Sequence, residues 1–163
     1  MKKLIIILFA IAVSACGGNK KDNSADSKQK QNTDVANNEI KTNTENEIVP
    51  QEGFTMTESG LQYKILRDAQ GPKPGPTSIV KVHYEGKLTN GHIFDSSYER
   101  KEPTSFGLNE VIKGWTEGVQ LMSVGSMYEF IIPPKLGYGN RELPEIPANS
   151  TLIFKIELLE ILK

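Results

Sequence analysis

Cysteine is all but absent: Cys16 is the only one in 163 residues. The chain can form no internal disulfide, so whatever folds is held by its apolar core. Histidine is also scarce. His83 and His92 are separated by a turn and joined by no cysteine pair or acidic cluster, so no metal site is legible and no cofactor is expected. Long hydrophobic runs are missing as well. The longest, Leu4 to Val13, is far short of the roughly 20 residues that span a bilayer. Nor is there a cationic excess: 19 Lys and Arg stand against 20 Asp and Glu, which argues against nucleic acid as a partner. A Gly-rich phosphate loop and a Ser-His-Asp set are not found. Tryptophan occurs once, as Trp115.

What is present begins with an export signal over residues 1–15. Lys2 and Lys3 precede the apolar run, and Ser14 and Ala15 supply small residues before Cys16. The stretch "VSAC" resembles the lipobox of bacterial lipoproteins, which makes Cys16 the expected lipidated N-terminus and membrane tether; ordinary cleavage near Ala15 is the alternative. Loss of residues 1–15 removes two lysines and leaves a formal charge of about −3. Residues 16–52 are rich in Asn, Lys, Asp, Glu, Gln, Ser and Thr and contain no aromatic residue. Such a segment buries too little apolar surface to offset its ordering entropy, and a polar linker is expected. As a flexible coil it would reach on the order of 30 Å.

Residues 53–163 suit one domain. Strand patterns dominate it. "LQYKIL" (61–66) is followed by the Pro- and Gly-rich loop "GPKPGPTS", and "IVKVHYEGKL" then alternates Val80, Val82 and Tyr84 against Lys81, His83 and Glu85. Asn90-Gly91 predicts a hairpin turn into "HIFDSS", after which "YERKEPT" reads as a loop. "SMYEFIIPP" and "TLIFKIELLEIL" complete the strands around the loop "KLGYGNRELPEIPANS". Between them Ile112, Trp115, Val119 and Met122 recur at spacings of three and four, the apolar stripe of one short helix. The fold class is α+β, a curved antiparallel sheet carrying that helix on its concave face.

The helix contains Gly114 and Gly118, each costing about 1 kcal/mol relative to alanine. They are expected to strip side chains from around Trp115 and, with Phe94, Phe106 and Tyr138 near loops and strand ends, to leave an open apolar cleft suited to a small ligand or peptide. A plain core role for Trp115 is the bland alternative. Asp95 before two serines is at least as readily an Asx-turn or a buried acceptor as a chemical group. His83 points outward from its strand, and His92 is expected to be solvated.

Four motifs, "VKVHYEGKLTNGHIFDSS", "VIKGWTEGVQLMSVG", "IIPPKLGYG" and "IPANSTLIFKIELLEI", stand in the order and spacing of the FKBP-type peptidyl-prolyl cis-trans isomerases. The resemblance covers roughly 59–163 and is strongest to envelope members with a lipoprotein signal. It implies an FKBP-like fold with Trp115 as the floor of a pocket walled by Tyr84, Phe94, Phe106, Val111, Ile112, Ile146 and Phe154. Asp95 and Tyr138 are its polar rim. The residues it makes catalytic are Asp95, Tyr138, Ile112 and Phe94: the Ile112 N–H holds a substrate carbonyl, the Tyr138 hydroxyl offers a second hydrogen bond, and Asp95 acts on the twisted carbonyl or shapes the site. Two departures stand out. Gly137 replaces the family's common alanine, and "NRELPEIP" is shorter than the usual glycine-rich loop.

The implied partners are proline-containing polypeptides, unfolded exported proteins and the macrolide ligands of the family. The implied location is the bacterial envelope, with the outer membrane favoured, and a monomer is expected because residues 17–52 lack heptads. Isomerisation requires no nucleophile. Rotation about X-Pro has a barrier of about 18 to 20 kcal/mol because twisting breaks amide resonance, and a water-poor pocket favours the less charge-separated twisted amide. A chaperone or envelope adaptor that binds proline segments with little turnover is the competing expectation.

Overall fold

The computed structural model describes residues 50–163. The expected signal segment (1–15), lipidated Cys16 and nearly all of the expected linker (16–52) lie outside the described residues.

Seven antiparallel strands form one sheet in the order β1-β2-β6-β7-β3-β4, with β5 also paired to β3. The strands are β1 (Thr55–Met56), β2 (Gln62–Arg67), β3 (Ile79–Leu88), β4 (Ile93–Ser96), β5 (Thr104–Gly107), β6 (Met127–Ile132) and β7 (Leu152–Ile161). The two ten-residue strands, β3 and β7, pair along their length from Val80↔Ile161 to Leu88↔Leu152 and form the middle of the sheet. Alternation decides which face is inside. Val80, Val82, Tyr84, Gly86 and Leu88 of β3 are buried, as are Leu152, Phe154, Ile156 and Leu158 of β7, while the residues between them are partly exposed.

The apolar stripe of α2 (Lys113–Leu121) lies on this inner face. Ile112, Trp115, Val119 and Met122 are each at most 1 % exposed. Gly114 and Gly118 have a different purpose from the one the sequence suggested. A Cβ at Gly118 would come within 2.7 Å of Phe130 Cε1, and one at Gly114 within 2.6 Å of Ile132 Cγ2. The space left by the two glycines is filled by β6, so they let helix and sheet approach closely and do not open a cleft.

Asn90-Gly91 turns the chain as expected: the Gly91 N–H donates to Leu88 O at 3.0 Å, Gly91 sits at φ +87°, and Asn90 Oδ1 accepts from the His92 N–H at 3.0 Å. The stretch "YERKEPT" is less loop-like than read. Its first three residues belong to a single helical turn, α1 (Ser97–Arg100), whose N-cap Ser96 accepts from the Glu99 N–H at 3.3 Å. Ser96-x-x-Glu99 is a capping signature that the sequence displayed in plain view. β5 and the two-residue β1 also went unread, because four and two residues are too few for a period to show.

Candidate functional site

The centre of the site is Trp115, held rigidly by aromatic edges. Tyr84 from β3, Phe154 from β7 and Phe106 from β5 meet its ring at centroid distances of 5.3, 5.3 and 5.5 Å and interplanar angles of 85°, 89° and 81°. Phe94 from β4 adds an edge contact to Phe154 at 5.6 Å. Edge-to-face pairs of this kind contribute about 0.5 to 1.5 kcal/mol each beyond the area they bury. The strand period places Tyr84, Phe94 and Phe154 on the inner face, and the helix period aims Trp115 at them.

Trp115, Tyr84 and Phe154 have no exposed surface, whereas Phe94 and Val111 retain 6 % and Phe106 and Tyr138 are only partly buried. The indole is therefore not the floor of an open cleft. Contact with it requires the flanking rings to part; the faces already reachable belong to Phe106 and Tyr138. Two donors, one of the side chain and one of the backbone, lack a protein partner here. Among the described residues Trp115 Nε1 is buried without a partner, and the Ile112 N–H at the start of α2 donates to no protein acceptor.

Beside the rings lies a buried polar group. Asp95 Oδ2 accepts from the Tyr84 hydroxyl at 2.5 Å, and its other oxygen is ion-paired with Arg100 Nη1. Arg100 Nη2 also donates to the Tyr84 hydroxyl at 2.9 Å, and the guanidinium lies 5.5 Å from the Tyr84 ring centre. Burial, reinforced by the Asp95 bond and charge, pushes the Tyr84 phenol well above its ordinary range, with Arg100 opposing. Burial by itself would lower the Arg100 guanidinium, but its bonds to Asp95 and Tyr84 outweigh that and raise it. Of the roles weighed for Asp95, the geometry displays the buried acceptor: both oxygens are occupied.

Arg100 and Ser97 were not singled out from the sequence. Ser97 Oγ accepts from the Tyr84 N–H at 2.7 Å, donates to Tyr84 O at 3.1 Å and meets His83 Nδ1 at 2.9 Å. It clamps the backbone that carries Tyr84. The capping signature at Ser96 would have placed both residues, since one helical turn brings Arg100 back over Asp95. His83, stacked on Tyr98 at 4.8 Å, is the hydrogen-bonded strand histidine the alternation suggested. His92 is not simply solvated, for its Nε2 lies 3.4 Å from Glu145.

The rim is closed by the 133–151 loop. Tyr138 follows a 3-10 turn (Pro134–Leu136), and the Gly139 N–H donates to Pro134 O at 2.9 Å while Gly139 O accepts from the Asn149 N–H at 2.7 Å. The loop is thus tied at both ends despite Gly137. Leu143 and Ile146 exchange backbone bonds of 2.9 and 3.1 Å, a tight turn that accounts for the brevity of "NRELPEIP" and buries Ile146. Burial is the main cause that raises the Tyr138 phenol to about 12, Asp95 adding and Arg141 opposing. Of the residues named from the sequence, Tyr84, Phe94, Phe106, Trp115 and Phe154 come together in one ring cluster, with Asp95 hydrogen-bonded to its Tyr84. Val111, Ile112 and Ile146 belong to the same buried core, and Tyr138 packs on it.

Comparison with known proteins agrees with this arrangement. The model of the FKBP-type peptidyl-prolyl cis-trans isomerase domain matches residues 71–159. The isomerase FkpA of Aeromonas hydrophila is 57 % identical over 112 residues, which cover 69 % of this chain and 42 % of the relative. The FKBP-type 22 kDa isomerase of Escherichia coli is 50 % identical over 117 residues, covering 71 % and 57 %. The chain thus spans about half the length of the curated relatives it matches. The crystal structure of FkpA from Escherichia coli superposes with a TM-score of 0.65 at 42 % identity, covering 68 % of this chain and 52 % of that one. A peptidyl-prolyl isomerase from Pseudomonas syringae gives 0.64 at 34 % identity, covering 68 % and 82 %. With the matched domain spanning more than half of the sequence, the fold shared and the aromatic cluster in place, this chain belongs to the family of FKBP-type peptidyl-prolyl cis-trans isomerases.

Proposed function

We propose that the protein catalyses cis-trans isomerisation of X-Pro bonds in polypeptides, with the cluster around Trp115 as its site. The observation that carries this reading is the conjunction of an aromatic cluster with an unengaged Ile112 N–H and a Tyr138 side chain packed on the same core. A proline ring inserted against Phe106 and Tyr138 would exchange water for aromatic surface. The bond has no chemistry to complete, so the pocket acts by favouring the twisted amide, whose charge separation is reduced, over the planar one. A barrier lowered by about 7 kcal/mol would accelerate rotation about 10⁵-fold.

In this reading Phe94 and, once the flanking rings part, Trp115 desolvate the amide, Ile112 and Tyr138 hold carbonyl oxygens, and Asp95 positions Tyr84 through the network with Arg100. The remaining wall residues, Val111, Ile146 and Phe154, keep water out. The same reading places Cys16 as the lipidation site and the domain in a bacterial envelope, acting on exported proteins as a monomer; the signal pattern of residues 1–16 supports the first two points. Macrolide ligands of the family would compete for the same rings.

The decisive experiment is cis-to-trans conversion of a short X-Pro peptide by the purified protein beside a Phe94→Ala, Tyr138→Ala variant. Acceleration that disappears in the folded variant is the expected result. A folded wild-type protein that binds the peptide without acceleration would replace the isomerase by a proline-binding chaperone.

A further inference from the structure

Next to Tyr138 lies a small cavity of about 190 Å³ lined by Lys113, Lys135, Gly137, Tyr138, Gly139, Asn140 and Arg141. Its charged members are all cations. Lys113, Lys135 and Arg141 are exposed, and among the described residues none of them forms an ion pair, although four other pairs occur. Glu142 follows Arg141 but is not part of the lining, and Glu145 faces His92. Three cations on one cavity of a chain whose overall charge is slightly negative are a local feature that net composition conceals.

The fold fixes their convergence. Lys113 is the first residue of α2, directly after Ile112; Lys135 is in the 3-10 turn; and the Arg141 N–H donates to Tyr138 O at 3.2 Å. Neither Ile112 nor Tyr138 is more than three residues from one of the cations. A peptide whose proline lies against Tyr138 has its neighbouring residues, at about 3.3 Å of extended chain each, beside a cavity that Tyr138 also lines.

We propose that this cavity is a substrate subsite for a carboxylate, so that the protein prefers proline segments carrying an Asp or Glu within about three residues of the proline. The proposal rests on the isomerase reading for its location. An anionic lipid headgroup would meet the same cations, but the cavity is lined by Tyr138, which packs on the core that holds the rings, and by Lys113 next to Ile112, which favours a substrate side chain over a membrane.

The test is a set of X-Pro peptides bearing a single Glu, Gln or Lys at each of the three positions on either side of the proline. Turnover is measured as kcat/KM, and binding separately by the shifts of backbone amide NMR signals. At one position Glu should exceed Lys by about tenfold at low ionic strength, since each partly solvated pair contributes a factor of roughly 1.4 to 5, and the preference should collapse as salt screens it. Lys135→Glu with Arg141→Glu should invert the preference, read within the variant as the ratio of the Glu to the Lys peptide at that position. Equal rates and affinities for Glu and Lys at every position would overturn the proposal, as would a Glu preference that survives the charge reversal. Charge-dependent capture by anionic phospholipid vesicles, with flat peptide selectivity, would also overturn it and assign the cations to a membrane. If no peptide is turned over, the isomerase reading fails, and the binding shifts still decide whether the subsite exists.

Discussion

Replacing Gly118 by alanine sets two effects of opposite sign against each other. Alanine is the better helix former by about 1 kcal/mol, and by that measure the variant gains stability. The new Cβ, however, would lie 2.7 Å from Phe130 Cε1 and 3.0 Å from Phe130 Cδ1, where carbon atoms prefer about 3.5 to 4.0 Å. Phe130 is 1 % exposed and has Tyr128 stacked beside it at 5.9 Å, so the ring has little room to turn away. Overpacking of this kind costs about 1 to 3 kcal/mol, and taking its middle the net loss is about 1 kcal/mol. For a domain of this size that lowers the midpoint of thermal unfolding by about 4 to 8 °C. The assay is a thermal scan followed by near-ultraviolet circular dichroism, which also reports the surroundings of Trp115 three residues earlier in the same helix. Phe130→Leu in the Gly118→Ala background should recover part of the loss, a positive coupling between helix and sheet. A midpoint that rises in Gly118→Ala would refute the reasoning, because helix propensity would then outweigh a contact that was never tight.

The other predictions concern the polar network and the phenols. Arg100→Ala leaves the Asp95 carboxylate buried without its cation, and urea unfolding should show a loss of about 3 kcal/mol, with much less in the Asp95→Asn, Arg100→Ala pair. Near-equal losses would mean that the charge is not the cause. Ser97→Ala removes the acceptor of the Tyr84 N–H and should cost about 1 to 3 kcal/mol, whereas Ser97→Thr should restore most of it if the hydroxyl is what matters. Tyr138 and Tyr98 both titrate near 12 in the fold against an ordinary 10, burial being the main cause in each. Because the folded values are raised, their contribution is complete below pH 10 and is lost as pH climbs from about 10 to 12. Tyr138→Phe should flatten part of that alkaline fall in stability; an unchanged pH profile would contradict the assignment.

The strands and the helix were legible in the sequence because periods of two and of three to four persist long enough to be read. β3 and the stripe Ile112, Trp115, Val119 and Met122 are the plainest examples, and Asn90-Gly91 marks a turn through backbone freedom alone. The aromatic members of the site were legible for the same reason, since a residue on the inner face of a strand must pack against whatever lies on the helix stripe. Contacts that depend on distance across the fold were not. The approach of Gly114 and Gly118 to Ile132 and Phe130 depends on how near β6 lies to α2, and the closure of rings over Trp115 depends on three strands at once. The bonds from Arg100 and Tyr84 to Asp95, and the meeting of Lys113, Lys135 and Arg141, join side chains from separate elements. Local sequence sets φ, ψ and the face a side chain takes; which faces then meet is decided by packing of the whole sheet around one helix.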